Sequence, residues 1–96
     1  MTLTSCPMHP GEVLDELYLQ PLGLSAGKLA KALRVPRTRV ERLVKGTTAV
    51  TPDTALRLAK FFRTTPQMWL NMQTNFDLSK AIQHVDVSDI AVLDGA

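Results

Sequence analysis

The stretch SAGKLAKALRVPRTRVERLVK, residues 25–45, decides how this chain folds. Ser25 is a helix-capping residue, because its hydroxyl can accept from N–H groups that have no partner in a first turn. Leu29, Ala30 and Leu33 then give a helix over 26–33 one apolar side, small enough for a neighbour to approach closely. Arg34 and Val35 make a short turn. A second helix follows over 36–45, burying Val40, Leu43 and Val44 and turning Arg37, Thr38, Glu41, Arg42 and Lys45 outward, with Arg39 near the boundary. Gly46 ends it as a left-handed cap. Lys28, Lys31, Arg34, Arg37, Arg39, Arg42 and Lys45 fall in this stretch, seven of the chain's eleven Lys and Arg residues, against the single acid Glu41. The total charge of +2 therefore hides a basic middle between acidic ends. A cationic stripe on a two-helix unit is the electrostatic footprint of a nucleic-acid binder, since each phosphate neutralised releases condensed counterions.

Helix signals continue on both sides. Pro10 suits a first helical position, and Val13, Leu14, Leu17 and Tyr18 recur on one face until Pro21 and Gly23, which predicts a helix over about 10–20. Thr51-Pro52 and Thr65-Pro66 are each a hydroxyl cap followed by proline, and they open helices over about 52–63 and 66–80. Ala55, Leu56, Leu58, Ala59 and Phe62 form the expected buried face of the first. Met68, Trp69, Met72, Phe76 and Leu78 load the second with large side chains. In HVDVSDIAVLDGA, residues 84–96, apolar residues alternate with acids, which suits a short strand, although a strand without a partner is unstable. The expectation is an all-α domain of five helices over 9–80, preceded by a segment 1–8 and followed by a tail 81–96 with a possible strand. Ninety-six residues, 45% of them hydrophobic, suffice for one modest core.

Several function classes lose support. There is no internal repeat, low-complexity tract or glycine-rich phosphate loop, and no cofactor is implied. Cys6 has no disulfide partner, and neither a cationic-then-apolar leader nor an apolar run of about 20 residues occurs, so the expected setting is a reducing cytoplasm and not a membrane. Cys6 and His9 form a C-x-x-H pair, but His84 alone cannot complete a tetrahedral zinc site. For an enzyme, His9, Asp15, Glu16 and His84 are the loose candidates, and no spacing sets a nucleophile beside a base.

A helix-turn-helix sends its second helix into the major groove, where every base pair shows a distinct donor and acceptor pattern. Arginine's planar fork can donate twice to guanine O6 and N7, so Arg37, Thr38, Arg39 and Arg42 are the candidates for base readout. Arg37 and Glu41, four residues apart, also satisfy the spacing of an ordinary surface ion pair. Phosphates are expected at the start of the preceding helix (Ser25, Ala26, Lys28) and in the following loop (Lys45, Thr47, Thr48). Met68 and Met72, with Val85 and Val87 of the tail, are the candidates for a homodimer interface.

HPGE at 9–12, PLGLS at 21–25, LAKAL at 29–33, TPDTALRLAKFF at 51–62 and TPQMWLNMQTNFDL at 65–78 resemble the HigA (VapI-like) antitoxins of the XRE-type, lambda-repressor-like helix-turn-helix group. The resemblance spans about residues 8–90. It implies a homodimer that represses its own operon at a palindromic double-stranded operator and neutralises a HigB-like toxin, a RelE-type ribonuclease that cuts messenger RNA on ribosomes. It also implies that Pro36 through Lys45 is the groove-reading helix. Two positions depart from the pattern: Pro36 stands where Ser or Thr usually caps that helix, and Ala26 where many relatives carry Gln. A free-standing repressor without a toxin is the alternative, and a neighbouring reading frame for a small basic protein separates the two.

Overall fold

A computed structural model describes residues 7–94. Among them are five helices and no strand: α1, a continuous coil in three stretches (Pro10–Val13, Leu14–Leu19 and Gln20–Leu22), α2 (Ala26–Leu33), α3 (Arg37–Val44), α4 (Pro52–Phe62) and α5 (Pro66–His84). The expected caps form. The hydroxyls of Ser25, Thr51 and Thr65 accept from the N–H groups of Lys28, Thr54 and Met68 at the starts of α2, α4 and α5. Gly46, at φ 76°, ends α3 in a Schellman turn: Thr47 N–H donates to Arg42 O and Gly46 N–H to Leu43 O.

The core comprises Leu14 and Leu19 of α1, Leu29, Ala30 and Leu33 of α2, Val40 and Leu43 of α3, Ala55, Leu58 and Ala59 of α4, Trp69 of α5, and Val50 from the loop before α4. Tyr18, Phe62 and Trp69 cluster with ring centroids 4.8–6.4 Å apart. The Trp69 indole N–H donates to the Thr64 hydroxyl at 2.8 Å, so the largest buried side chain carries no unmet donor. Gln73, also buried, accepts from Val50 N–H at 2.8 Å through its carbonyl oxygen and so fixes the α3–α4 loop to α5.

Four sequence expectations are corrected. In α1 the face of Val13, Leu14, Leu17 and Tyr18 is rotated, and Leu17 is 64% exposed. Residues Leu14–Leu19 are wound as a π-helix, with Gln20 N–H donating to Asp15 O, so side chains five apart share a side and Leu14 and Leu19 are buried together. In α4 the buried row is Ala55, Leu58 and Ala59, with Phe62 half-buried against the core. Leu56, one residue and about 100° round from Ala55, faces solvent. The alternating tail forms no strand: α5 continues to His84, and residues 85–94 are irregular, held by local bonds such as Ser88 N–H to the Asp86 carboxylate. With no second edge to pair with, alternation alone does not make a strand. Leu78, counted with the large packing residues of α5, is 55% exposed.

Cys6 and most of the N-terminal segment lie outside the described residues. His9 is buried for a structural reason. Its Nδ1 accepts from Gly11 N–H and caps α1, and its ring meets Phe76 edge-on at 4.9 Å. Gly11 packs directly on the end of α3, where a Cβ would overlap the Leu43 carbonyl. The HPGE segment thus seats α1 against the C-terminal end of α3.

Candidate nucleic-acid interface

α2 and α3 pack against each other across the turn at Arg34 and Val35. Arg34 takes a left-handed conformation, φ 61°, and Val35 N–H donates back to Ala30 O. Gly27 in the first turn of α2 lies beside the aliphatic stem of Arg37 in the first turn of α3, bringing the two helix starts onto one face. Pro36 provides no side-chain cap to α3. The positive end of that helix is therefore open.

Arg37, Thr38, Arg39 and Arg42 are all exposed. Thr38, Arg39 and Arg42 line one open cleft of about 550 Å³ with Thr48, Thr51, Asp53 and Arg57. Arg37 stands outside that cleft, its side chain 72% exposed, with Nε donating to Glu41 Oε2 at 2.7 Å. Arg39 Nη1 donates to Asp53 Oδ2. The same oxygen accepts from Arg57 Nε at 3.1 Å, and Arg57 Nη1 reaches the Leu33 carbonyl at 2.8 Å. Hydrogen bonds from Arg57 first and Arg39 second hold the Asp53 carboxyl below its ordinary range. Arg42 has no ion pair among the described residues. Its carbonyl accepts from the Thr47 hydroxyl at 3.0 Å, which orders the loop after α3.

At the α2 end, Ser25 and Lys28 are exposed and Ala26 is half-buried. Lys45, Thr47 and Thr48 are exposed beyond α3. On α5, Met68 and Met72 are half-buried against the core, while Val85 and Val87 are 59% and 60% exposed and line a shallow groove with Leu78, Ala81 and Ile82. His9 and Asp15 are engaged in structure, the first as a cap and the second accepting from the Gln20 side chain at 2.9 Å. Among the described residues no helix is long and apolar enough to cross a membrane, and no three His, Cys, Asp or Glu residues gather as metal ligands.

Asp53 and Arg57 were missed by sequence reasoning. Their spacing of four is a helix-pair signal, but the link to Arg39 spans fourteen residues and that to Leu33 twenty-four, and no short-range pattern reports either.

A helix-turn-helix family model, HTH_3, matches residues 16–69. The chain is 53% identical over 76 residues to virulence-associated protein I of Dichelobacter nodosus, covering 79% of this chain and 70% of that protein. It superposes on an addiction module antidote protein of the HigA family from Coxiella burnetii with a TM-score of 0.86 and 41% identity, over 93% of this chain and 99% of that one. It also matches PA4674 of Pseudomonas aeruginosa, solved in complex with its operator DNA, with a TM-score of 0.86 and 32% identity over 91% and 97% of the two chains. Five helices in this order, an exposed arginine face on the third, and these likenesses together make the chain a member of the helix-turn-helix family, in its HigA and VapI branch.

Proposed function

We propose that the protein is the antitoxin of a type II toxin–antitoxin pair, a cytoplasmic homodimer that represses its own operon and neutralises a HigB-like, RelE-type ribonuclease. The observation that carries the DNA half of this reading is the open cleft on α3, where Thr38, Arg39 and Arg42 stand together on one exposed face. In this reading Arg37, Thr38, Arg39 and Arg42 read base edges. Ser25, Ala26 and Lys28 take phosphate at the start of α2, and Lys45, Thr47 and Thr48 take it after α3. Two copies set their α3 helices about 34 Å apart on a palindromic operator. Support comes from the likeness to a protein solved on its operator, and from a loop after α3 that is already ordered by the Thr47 hydroxyl.

The homodimer in this reading joins the exposed apolar end of α5 to its counterpart through Leu78, Ile82, Val85 and Val87, with the outer flanks of Met68 and Met72 at its margin. Acids on α1 (Glu12, Asp15, Glu16) and in the tail (Asp86, Asp89, Asp94) offer a cationic ribonuclease a complementary field. Co-expression with the adjacent gene, followed by copurification and growth rescue, tests the toxin half. A neighbour that neither copurifies nor poisons growth leaves a stand-alone repressor. A gel-shift titration with the upstream DNA at several salt concentrations tests the other half. Arg42→Ala is expected to weaken specific binding by about 1–3 kcal/mol, and Lys45→Ala to weaken all sequences alike and flatten the salt slope by about one. Unchanged affinities in both variants would remove α3 from the interface.

A further inference from the structure

The cleft beside α3 contains an anion. Asp53, the second residue of α4, projects its carboxylate among Arg39, Arg42 and Arg57, on the face offered to a polyanion. A carboxylate there opposes phosphate binding, so its presence needs a physical reason. Helix capping supplies only part of one: an acid in a first turn is favoured by the α4 dipole, but Thr51 already caps that helix.

The bonding supplies the rest. Arg57 is anchored through Nη1 on the Leu33 carbonyl at 2.8 Å and, more weakly, on that of Arg34 at 3.5 Å, so it is tied to the turn between α2 and α3. Its Nε holds Asp53 Oδ2, and that oxygen holds Arg39 Nη1. The chain of contacts runs from the backbone of the turn to the tip of a groove-facing arginine. Arg39 spends one nitrogen on Asp53, and its Nε and Nη2 have no partner among the described residues. An arginine free to swing binds any phosphate within reach. One held by a carboxylate must give up that partner or bring the phosphate up to a negative charge, and both oppose binding. A guanine edge presents neutral acceptors at O6 and N7, which the remaining N–H groups can meet without displacing Asp53.

We propose that Asp53 sets the sequence specificity of this face, holding Arg39 away from phosphates and aimed at a guanine edge, and that Arg57 is the positioning residue that holds Asp53. The proposal rests on the duplex-reading role of α3 given above. It differs from an ordinary surface ion pair, which would change stability slightly and discrimination not at all.

Asp53→Asn keeps the shape and removes the charge. Its affinity for a sequence selected by the wild type from a random duplex pool, and for random duplex, is measured across a salt series, with thermal melting as the control for folding. Random-duplex affinity is expected to rise about threefold. The ratio of selected to random affinity should fall about fivefold to 100-fold, the span of one lost bidentate base contact. The salt slope should steepen by about one as Arg39 turns to a phosphate. Selection with Asp53→Asn and with Arg39→Ala should relax the same base pair in each half-site, and the double variant should relax nothing more. Asp53→Glu should restore part of the discrimination, and Arg57→Lys, which keeps charge but loses the fork, should fall between wild type and Asp53→Asn. An Asp53→Asn protein with wild-type discrimination and salt slope overturns the inference, as does relaxation at a base pair other than that of Arg39→Ala. A wild type that enriches no sequence overturns the duplex-reading role itself, a result distinct from either.

Discussion

The face formed by α2, α3 and the start of α4 and the surface formed by the end of α5 and the tail are both open to water, yet they are built on opposite terms. On the first, several charged groups already have partners, though Arg42 has no ion pair among the described residues: Arg37 lies on Glu41, and Arg39, Asp53 and Arg57 are linked back to the Leu33 carbonyl. On the second, Leu78, Ile82, Val85, Val87, Ile90, Val92 and Leu93 are each more than half exposed, and from Asp77 to Asp94 every residue except Ser79 is exposed. Water solvates guanidinium and carboxylate groups well, so the first face is stable as it stands. Apolar area left in water forgoes about 25 cal/mol per Å², and contiguous patches of this kind mark contact sites. The first surface is therefore partly prearranged by its own ion pairs, and the second, an incomplete apolar one, belongs to the last helix and the tail.

The strongest way to break this comparison is to disturb the frame beneath the prepared face. At Gly11 an added Cβ would enter the Leu43 carbonyl, which is backbone and has no rotamer to escape into. Gly11→Ala should lower stability by about 3 kcal/mol, the upper part of the range for overpacking, read as a fall in denaturant midpoint. Operator affinity should fall with it if Leu43 belongs, as proposed, to the helix that enters the groove. An alanine variant of wild-type stability would mean that α1 does not seat α3. At the other end, Ile82→Asp should leave monomer stability within about 0.5 kcal/mol, since the side chain is already 70% exposed. It should weaken self-association by about 2 kcal/mol or more, as a charge placed in an apolar contact does. Sedimentation as a function of concentration measures that effect, and a variant that associates like wild type would free this surface for another role.

The two regions also differ in how far they were legible in the sequence. Caps at Ser25, Thr51 and Thr65, the glycine end of α3 and its outward arginines follow from residues within five positions of one another, where local sterics and hydrogen bonding decide. The π-helical turn in α1 was hidden because Leu14 and Leu17 satisfy an ordinary helical face as well as Leu14 and Leu19 satisfy a wider one, and the choice depends on what α1 packs against. Leu56 was misread because an apolar residue next to a buried row looks like part of it. The tail's alternation was a true pattern without a partner to express it. Asp53, Arg57 and Gln73 act through contacts fourteen to twenty-four residues away, which only the folded chain assembles.

A smaller effect sharpens the idea that the cationic face is preset. The Asp53 carboxyl is held below its ordinary value of 3.8 by its bonds to Arg57 and Arg39, so its contribution to stability is complete above that value and fades as pH falls through the lowered one. Denaturation midpoints of wild type and Asp53→Asn should run parallel from pH 7 down to about 4 and converge below it. The change should be slight, because the pair is solvated. Midpoints that stay parallel through pH 2 would show that the carboxylate is not held in solution.

The smallest expected change separates backbone from side chain in the turn itself. Arg34 and Arg63 both sit in the left-handed region, at φ 61° and 58°, each closing a helix where glycine would relax without strain. Relief of that conformation is worth about 1 kcal/mol, and glycine's greater freedom in the unfolded chain offsets roughly half, so either Arg→Gly change should stabilise by about 0.5 kcal/mol. The anchoring bonds from Arg57 go to the carbonyls of residues 33 and 34, which a glycine keeps. If the turn is held only by those backbone bonds, Arg34→Gly and Arg63→Gly should gain equally in urea melts. A gain at 63 with a loss at 34 would mean that the Arg34 side chain itself braces the turn between α2 and α3.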